Sequence, residues 1–520
     1  MGFKTQSARG GRVVKFSPQH FVRDGAEVPC PPSACAEGVS RREILPEAPT
    51  IMQNKTKLYT GLTLGVITVL NIGLHVWRIE YPARPVFDEA HFVTYASDYL
   101  KRRAFIDIHP PLGKLIYADA IALTNSNLPK AINNTDFVLI KASDTMQFSI
   151  MSANIPYGSF PYVPLRLVGG FFGVALATSM YFFMRSMGAG RIASLLTSLF
   201  ITLENAMLLE TRLILLNGMY LSFGMLALML FFKRKSYPFA GGLLWGLSLG
   251  VKLLGLAFAG PIFAYHFFAK STGAGKRALT FLITGCAIFG VIWFTNGFFY
   301  TPEARLDFWQ YLGFLRPASS SQTVAVPESL RRPAMYLAAT AQEMLFASSG
   351  YLMGVEETKF ANHDGSPWYL WPAMYRKMYY YVPALPIGGA LILQGNPAVW
   401  LGGTLAVLVA LFYIAQRSYR KMREKKLEMS EHERTLLVLL GGYVASLILF
   451  ITIVQRVTFL YHYFPALLFS IALLGFGIER LLGLKDGEPV SRPKRWALAV
   501  ICASAVGGFL YMMPGTFGLL

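Results

Sequence analysis

Charge is what this sequence has least of. Only 15% of its 520 residues are Asp, Glu, Lys or Arg, while 54% are hydrophobic; a soluble domain carries about a quarter charged residues. That excludes an ordinary soluble enzyme. Many segments reach the roughly 20 apolar residues that cross a bilayer, so the chain reads as a polytopic membrane protein. Acid is scarcer than base, 29 residues against 48, for a net charge of +19. The basic residues cluster at one set of helix ends, the positive-inside pattern, so no nucleic-acid partner is expected. Cysteine is nearly absent. Cys30 and Cys35 lie near the N-terminus, Cys286 and Cys502 in apolar segments, which gives neither a disulfide framework nor zinc-ligand spacing. No short apolar core with a small-residue cleavage site precedes residue 58, so a cleavable signal peptide fits poorly. Residues 1–50 lack periodicity and read as a mobile tail, or as sequence upstream of a start at Met52.

What is present is a series of apolar segments at about 58–77, 165–185, 191–209, 213–232, 238–256, 257–270, 277–299, 397–416, 435–454, 459–478 and 496–515. The expectation is an all-α protein of about 11 transmembrane helices over 58–515, after a cytoplasmic tail 1–57 and before an external C-terminus 516–520. Gly255, Gly260 and Pro261 argue for dividing 238–270 in two. The basic stretches around Arg185 and Arg191, Lys233 to Lys235, Lys270 to Arg277, Arg417 to Arg434 and Lys485 to Arg495 then all fall on the cytoplasmic side. Merging the pair would put the later ones on the wrong side. Two long hydrophilic loops, about 78–164 and 300–396, face outward to a periplasm or ER lumen, as does the short turn 455–458. A secondary transporter would show internal repeats; none is visible, and the unusual motifs gather in and beside the external loops. An enzyme is favoured.

The adjacent acids Asp88 and Glu89 lie about ten residues past the first apolar segment. Such a pair is ordinarily solvated surface, but Pro85 precedes it and an amphipathic run, Ala90 to Arg103, follows. Phe92, Tyr95 and Tyr99 of that run are expected in the membrane interface, with Lys101, Arg102 and Arg103 at the headgroups. An aspartate held there acts as a general base on any hydroxyl within hydrogen-bond reach. Downstream, Pro110 and Pro111 fix an extended lead into a helix and Gly113 allows close backbone approach. His109 and Lys114 then project from a rigid element, the plainer alternative being a helix start with a snorkelling lysine. Charges inside apolar segments are costly and usually functional. They are Arg166, then Glu204, Glu210 and Arg212, then Lys252 within a small-residue face from Gly246 to Gly255, then Arg456 and His462. Each taken singly serves equally well as a site residue or as a snorkelling anchor or internal salt bridge. Several cations on one external face, opposite acids, suit an anionic headgroup, and the planar arginine fork suits phosphate.

Phe87 to Phe92, Asp107 to Lys114, Arg212 to Asn217 and Gly250 to Gly255 together resemble the protein O-mannosyltransferase family, of the membrane glycosyltransferase class with the GT-C fold. Ser366 to Pro372, Gly395-Asn396-Pro397 and Tyr461 to Leu467 extend the likeness, in family order, over about residues 58–515. The resemblance implies transfer of mannose, with inversion, from a polyprenyl-phosphate (dolichyl-phosphate-type) donor to Ser or Thr hydroxyls of proteins. It casts Asp88 as the catalytic base with Glu89 assisting or shaping the site, and Arg166, Lys252, Arg456 and His462 as donor-phosphate ligands. His109, Lys114, Arg212 and Glu204 would support the substrate site. No cofactor and no divalent metal are expected, and pairing with a homologue is an option the family leaves open.

Two departures stand out. The 300–396 loop is too short for the lumenal MIR domain of the usual eukaryotic members, which favours a bacterial inner membrane over the ER. The family also often carries a carboxylate at the position of Asn217, a charge that Glu204 or Glu210 would have to replace. The competing reading is a GT-C enzyme with another sugar, or with a lipid or polysaccharide acceptor.

Overall fold

The computed structural model describes residues 47–100, 107–124, 156–158, 160–268, 273–299, 365–383, 388–424, 428–452 and 458–519. Residues 1–46, Lys101 to Arg103 and Arg456 lie outside them.

Helices occupy every described apolar segment. They are α1 (Glu47–Val76), α2 (Glu89–Leu100), α3 (Leu112–Thr124), α4 (Tyr162–Ser186), α5 (Arg191–Thr202), α6 (Asn205–Arg212) and α7 (Asn217–Phe232). There follow α8 (Pro238–Val251), α9 (Ala259–Phe268), α10 (Ala274–Asn296), α11 (Pro397–Glu424), α12 (Glu431–Thr452), α13 (Phe464–Leu482) and α14 (Arg492–Phe517). Among the described residues, 7 helices are long and apolar enough to cross a membrane, or 8 if α5 and α6 form one span bent by 59°. The protein is therefore an integral membrane protein. Three shorter apolar helices, Asn217–Phe232, Pro238–Val251 and Leu253–Phe268, stand at the remaining expected spans.

Two breaks differ from expectation. The segment 191–209 is not one straight helix: the chain turns at Leu203 and Glu204, and the Glu204 side chain restarts it by accepting from Met207 N at 2.8 Å. The break within 238–270 falls at Lys252, which is extended (φ −154°, ψ 134°), rather than at Gly255, Gly260 or Pro261. A 3-10 turn over Leu253–Phe258 then leads into α9. Nor is the fold wholly helical, since Met378–Tyr381 (β1) and Leu391–Leu393 (β2) form an antiparallel hairpin.

The core is made by α6, whose eight residues are all buried, with α7 and the first half of α13. Around them α4 packs on α7, α7 on α8, α8 on α10, α9 on α12 and α11 on α13. Small residues set the closest of these contacts. A Cβ on Gly246 would lie 2.6 Å from Ile288 Cβ, and one on Gly113 would lie 2.6 Å from Leu216 Cδ2. Outward faces of α1, α11 and α14 carry exposed Val66, Phe412 and Leu510, the all-round apolarity of helices that meet lipid.

Arg166 stands in the first turns of α4 and Arg185 in its last, about 28 Å apart at 1.5 Å per residue. Arg185 meets Asp486 at 2.9 Å and Arg191 meets it at 3.7 Å. Two of the basic stretches assigned to the cytoplasm thus gather at the end of α4 opposite Arg166.

Candidate active site

Asp88 owes its position to a turn. Phe87 has φ +51°, and the Asp88 carbonyl accepts from His91 N at 3.0 Å and Phe92 N at 3.1 Å, opening α2. The Phe87 ring stacks on Tyr380 at 4.4 Å and meets the edge of Tyr461 at 5.9 Å. Half-buried Asp88 therefore lines a small cavity with Phe87, Phe92, Glu210, Leu215, Leu216, Asn217, Lys252 and Tyr461. Phe92 is buried in the core rather than presented to a membrane interface, because α2 packs against α3 instead of lying free.

Glu89, one residue on, is directed elsewhere. Its Oε1 accepts from Arg166 Nε and Ile214 N, both at 2.9 Å. Its Oε2 accepts from Arg166 Nη2 at 2.8 Å, Val86 N at 2.9 Å and Tyr157 hydroxyl at 3.1 Å. Arg166 also donates to the carbonyls of Ile79 at 2.9 Å and Arg84 at 3.3 Å, and lies over the Tyr162 ring at 5.0 Å. Both side chains are fully buried. The fork expected on a donor phosphate is thus committed to Glu89, and Glu89, with five donors, is committed to tying the segment after α1 to α4 and to the start of Leu213–Leu216. Burial, reinforced by Glu89, pushes the Tyr157 phenol well above its ordinary range, so it remains a donor.

Lys252 enters the cavity from the break after α8. Its Nζ donates to Asn217 Oδ1 at 2.9 Å and lies 5.2 Å from the Tyr461 ring centre. Asn217 Nδ2 donates to Glu210 Oε2 at 3.0 Å, and the Tyr380 hydroxyl donates to Glu210 Oε1. The β1–β2 hairpin, whose second strand packs on α6 and α14, delivers Tyr380. Burial, with Glu210 next, pushes its phenol well above the ordinary range.

Other expected residues stand apart from this cavity. Glu204 accepts from Asn396 N at 2.8 Å as well as Met207 N, which fixes the Gly395-Asn396-Pro397 turn. Of the two acids near Asn217 in sequence, Glu210 is the one in contact with it. Arg212 donates to the carbonyl of Trp77 and, at 3.3 Å, to that of Thr516, and stacks over Phe517 at 4.2 Å, fastening α14 to the end of α1. Lys114 is buried and donates to Asp107 Oδ2 and to the His109 carbonyl, both at 2.6 Å; burial lowers its pKa and Asp107 opposes that shift. The His109 ring lies 6.1 Å from Phe92, behind the cavity wall. His462 accepts Phe459 N at 3.0 Å on Nδ1 and is stacked on Trp371 at 6.0 Å. Among the described residues no three His, Cys, Asp or Glu side chains group as metal ligands.

Phe87, Tyr380 and Tyr461 were not singled out as site residues in the sequence, and Glu210 stood there only as an intramembrane charge and an alternative to Glu204. Tyr461 and Phe87 stand inside motifs already marked; Tyr380 sits in a run of three tyrosines whose outer two pair with Ile392 and Leu391 across the hairpin.

The family model for dolichyl-phosphate-mannose-protein mannosyltransferase matches residues 65–269, and that for the C-terminal four TMM region of protein-O-mannosyltransferase matches residues 346–520. Dolichyl-phosphate-mannose–protein mannosyltransferase 4 of Candida albicans is 30% identical over 164 residues, 31% of this chain and 19% of that protein. Mannosyltransferase 1 of Saccharomyces cerevisiae is 26% identical over 215 residues, 39% of this chain and 24% of that protein. The chain thus matches about a fifth to a quarter of those relatives' length. The S. cerevisiae protein O-mannosyltransferase Pmt1-Pmt2 complex bound to the sugar donor aligns at a TM-score of 0.67 and 15% identity, over 88% of this chain and 90% of that one. The oligosaccharyltransferase AglB of Archaeoglobus fulgidus aligns at 0.51 and 14% identity, over 89% and 56%. The fold is that of GT-C glycosyltransferases.

Proposed function

Because the chain belongs to the protein O-mannosyltransferase family, we propose that it is a membrane glycosyltransferase that moves mannose from a polyprenyl-phosphate donor to Ser or Thr hydroxyls of proteins. The observation that carries this reading is the shared cavity of Asp88 and Lys252. Asp88 takes the proton of the acceptor hydroxyl as its oxygen bonds to the anomeric carbon. The bond from that carbon to the phosphate oxygen breaks on the opposite face, inverting the configuration, and the electron pair leaves with the phosphate. A donor diester with one negative charge becomes a monoester with a second, and Lys252 is placed to meet that charge as it develops. Glu89 and Arg166 hold the Asp88 turn in place.

The short 300–396 segment supports a bacterial inner membrane rather than the ER. Pairing with a second copy or a homologue is proposed because the similar yeast protein is a two-component complex; the purified chain should then run as a dimer or a two-component complex in native mass spectrometry. Transfer is tested with radiolabelled polyprenyl-phosphate mannose and a Ser/Thr peptide. Labelled peptide is the expected product. Transfer only to lipid or polysaccharide, or only of another sugar, would replace the acceptor or donor in this reading.

A further inference from the structure

The cavity holds a second carboxylate that this mechanism does not use. Glu210 is 1% exposed, and an amide links it to Lys252. Asn217 donates from Nδ2 to Glu210 at 3.0 Å and accepts on Oδ1 from Lys252 at 2.9 Å. An amide NH2 only donates and its carbonyl only accepts, so an anion on one side and a cation on the other fix its orientation. Tyr380 occupies the other Glu210 oxygen, which leaves the carboxylate little freedom to turn away. Lys252 is held at both ends: its backbone is the extended break between α8 and the 3-10 turn, and its ammonium donates to this relay.

We propose that Glu210 is a positioning residue for Lys252, supplying through Asn217 the counter-charge that holds the ammonium on the wall of the Asp88 cavity. A lysine so deep in a membrane protein needs such a charge. The argument requires one negative charge at the 210–217 hydrogen bond and does not require it at residue 210. Glu204 does not fill this role, since its two oxygens are spent on Met207 N and Asn396 N. The inference rests on reading Lys252 as the cation that meets the leaving phosphate.

The test moves the charge across the bond. E210Q, N217D and E210Q/N217D are nearly isosteric with the native pair and are made in the full chain, with thermal unfolding checking that each folds. In E210Q the relay loses its charge, so kcat falls about tenfold or more. The donor KM stays within about threefold, because the diester carries its second charge only as the bond breaks. N217D sets two carboxylates in contact and falls comparably. The double variant restores one charge and returns to within about threefold of the native kcat. Native kcat in E210Q, or a double variant no better than E210Q, would overturn the proposal. If the native protein transfers no mannose, the functional reading fails on that arm alone. The same four proteins are then compared for binding of dolichyl phosphate: weakened binding in E210Q that the double variant restores supports the Glu210 relay, and equal binding in all four overturns it.

Discussion

Glu89 and Arg166 meet in a two-point ion pair, Nε to Oε1 at 2.9 Å and Nη2 to Oε2 at 2.8 Å, with neither side chain exposed. One residue earlier, Asp88 opens into the cavity. Two adjacent acids thus serve different ends, because successive residues at a helix start point about 100° apart. Glu89→Gln leaves the guanidinium buried without a counter-charge and should cost about 3–5 kcal/mol of stability. Thermal unfolding in detergent measures it; an unchanged transition would remove the structural assignment. Arg166→Lys cannot restore two-point geometry and should also unfold early.

Lys252→Met leaves Glu210 without its cation and should unfold earlier, while the folded enzyme loses kcat by about a hundredfold or more, the scale of losing one stabilising donor at a developing charge. Steady-state kinetics at saturating acceptor decide it. A variant with native kcat and only a raised donor KM would make Lys252 a binding residue alone.

Tyr380→Phe removes one donor to Glu210, a hydrogen bond to a charged group worth about 1.5–3 kcal/mol. If that bond helps fix the relay, kcat falls by about tenfold while the Phe87 stack, which needs only the ring, persists. Native kcat in Tyr380→Phe would show that Asn217 alone orients Glu210.

Glu204→Ala takes a cap from α6 and an acceptor from Asn396, and should cost about 1–3 kcal/mol in thermal unfolding. Folded enzyme should retain native KM and kcat. A catalytic defect in stable protein would place Glu204 in the site after all.

Much of this arrangement was legible in the sequence. Apolar length located the helices, and Lys252 announced itself as a charge where apolar residues are cheapest. Asp88 stood out by its neighbours. The break at Lys252 was missed because Gly260 and Pro261 are stronger local signals, whereas the extended residue is fixed by a partner, Asn217, 35 positions away. Arg166 was assigned to phosphate because composition does not say which acid an arginine meets; the pairing depends on how Val86, Ile214 and Tyr157 surround Glu89. The choice between Glu204 and Glu210 turned on the 59° bend between α5 and α6, which no spacing rule supplies.

The central claim is that Asp88 removes the acceptor proton, and the direct measurement compares native protein with Asp88→Asn in mannosyl transfer from polyprenyl-phosphate mannose to a Ser/Thr peptide. Loss of a general base should lower turnover by about 10²–10⁴-fold, with thermal unfolding and dolichyl-phosphate binding unchanged. Full turnover in Asp88→Asn would contradict the account.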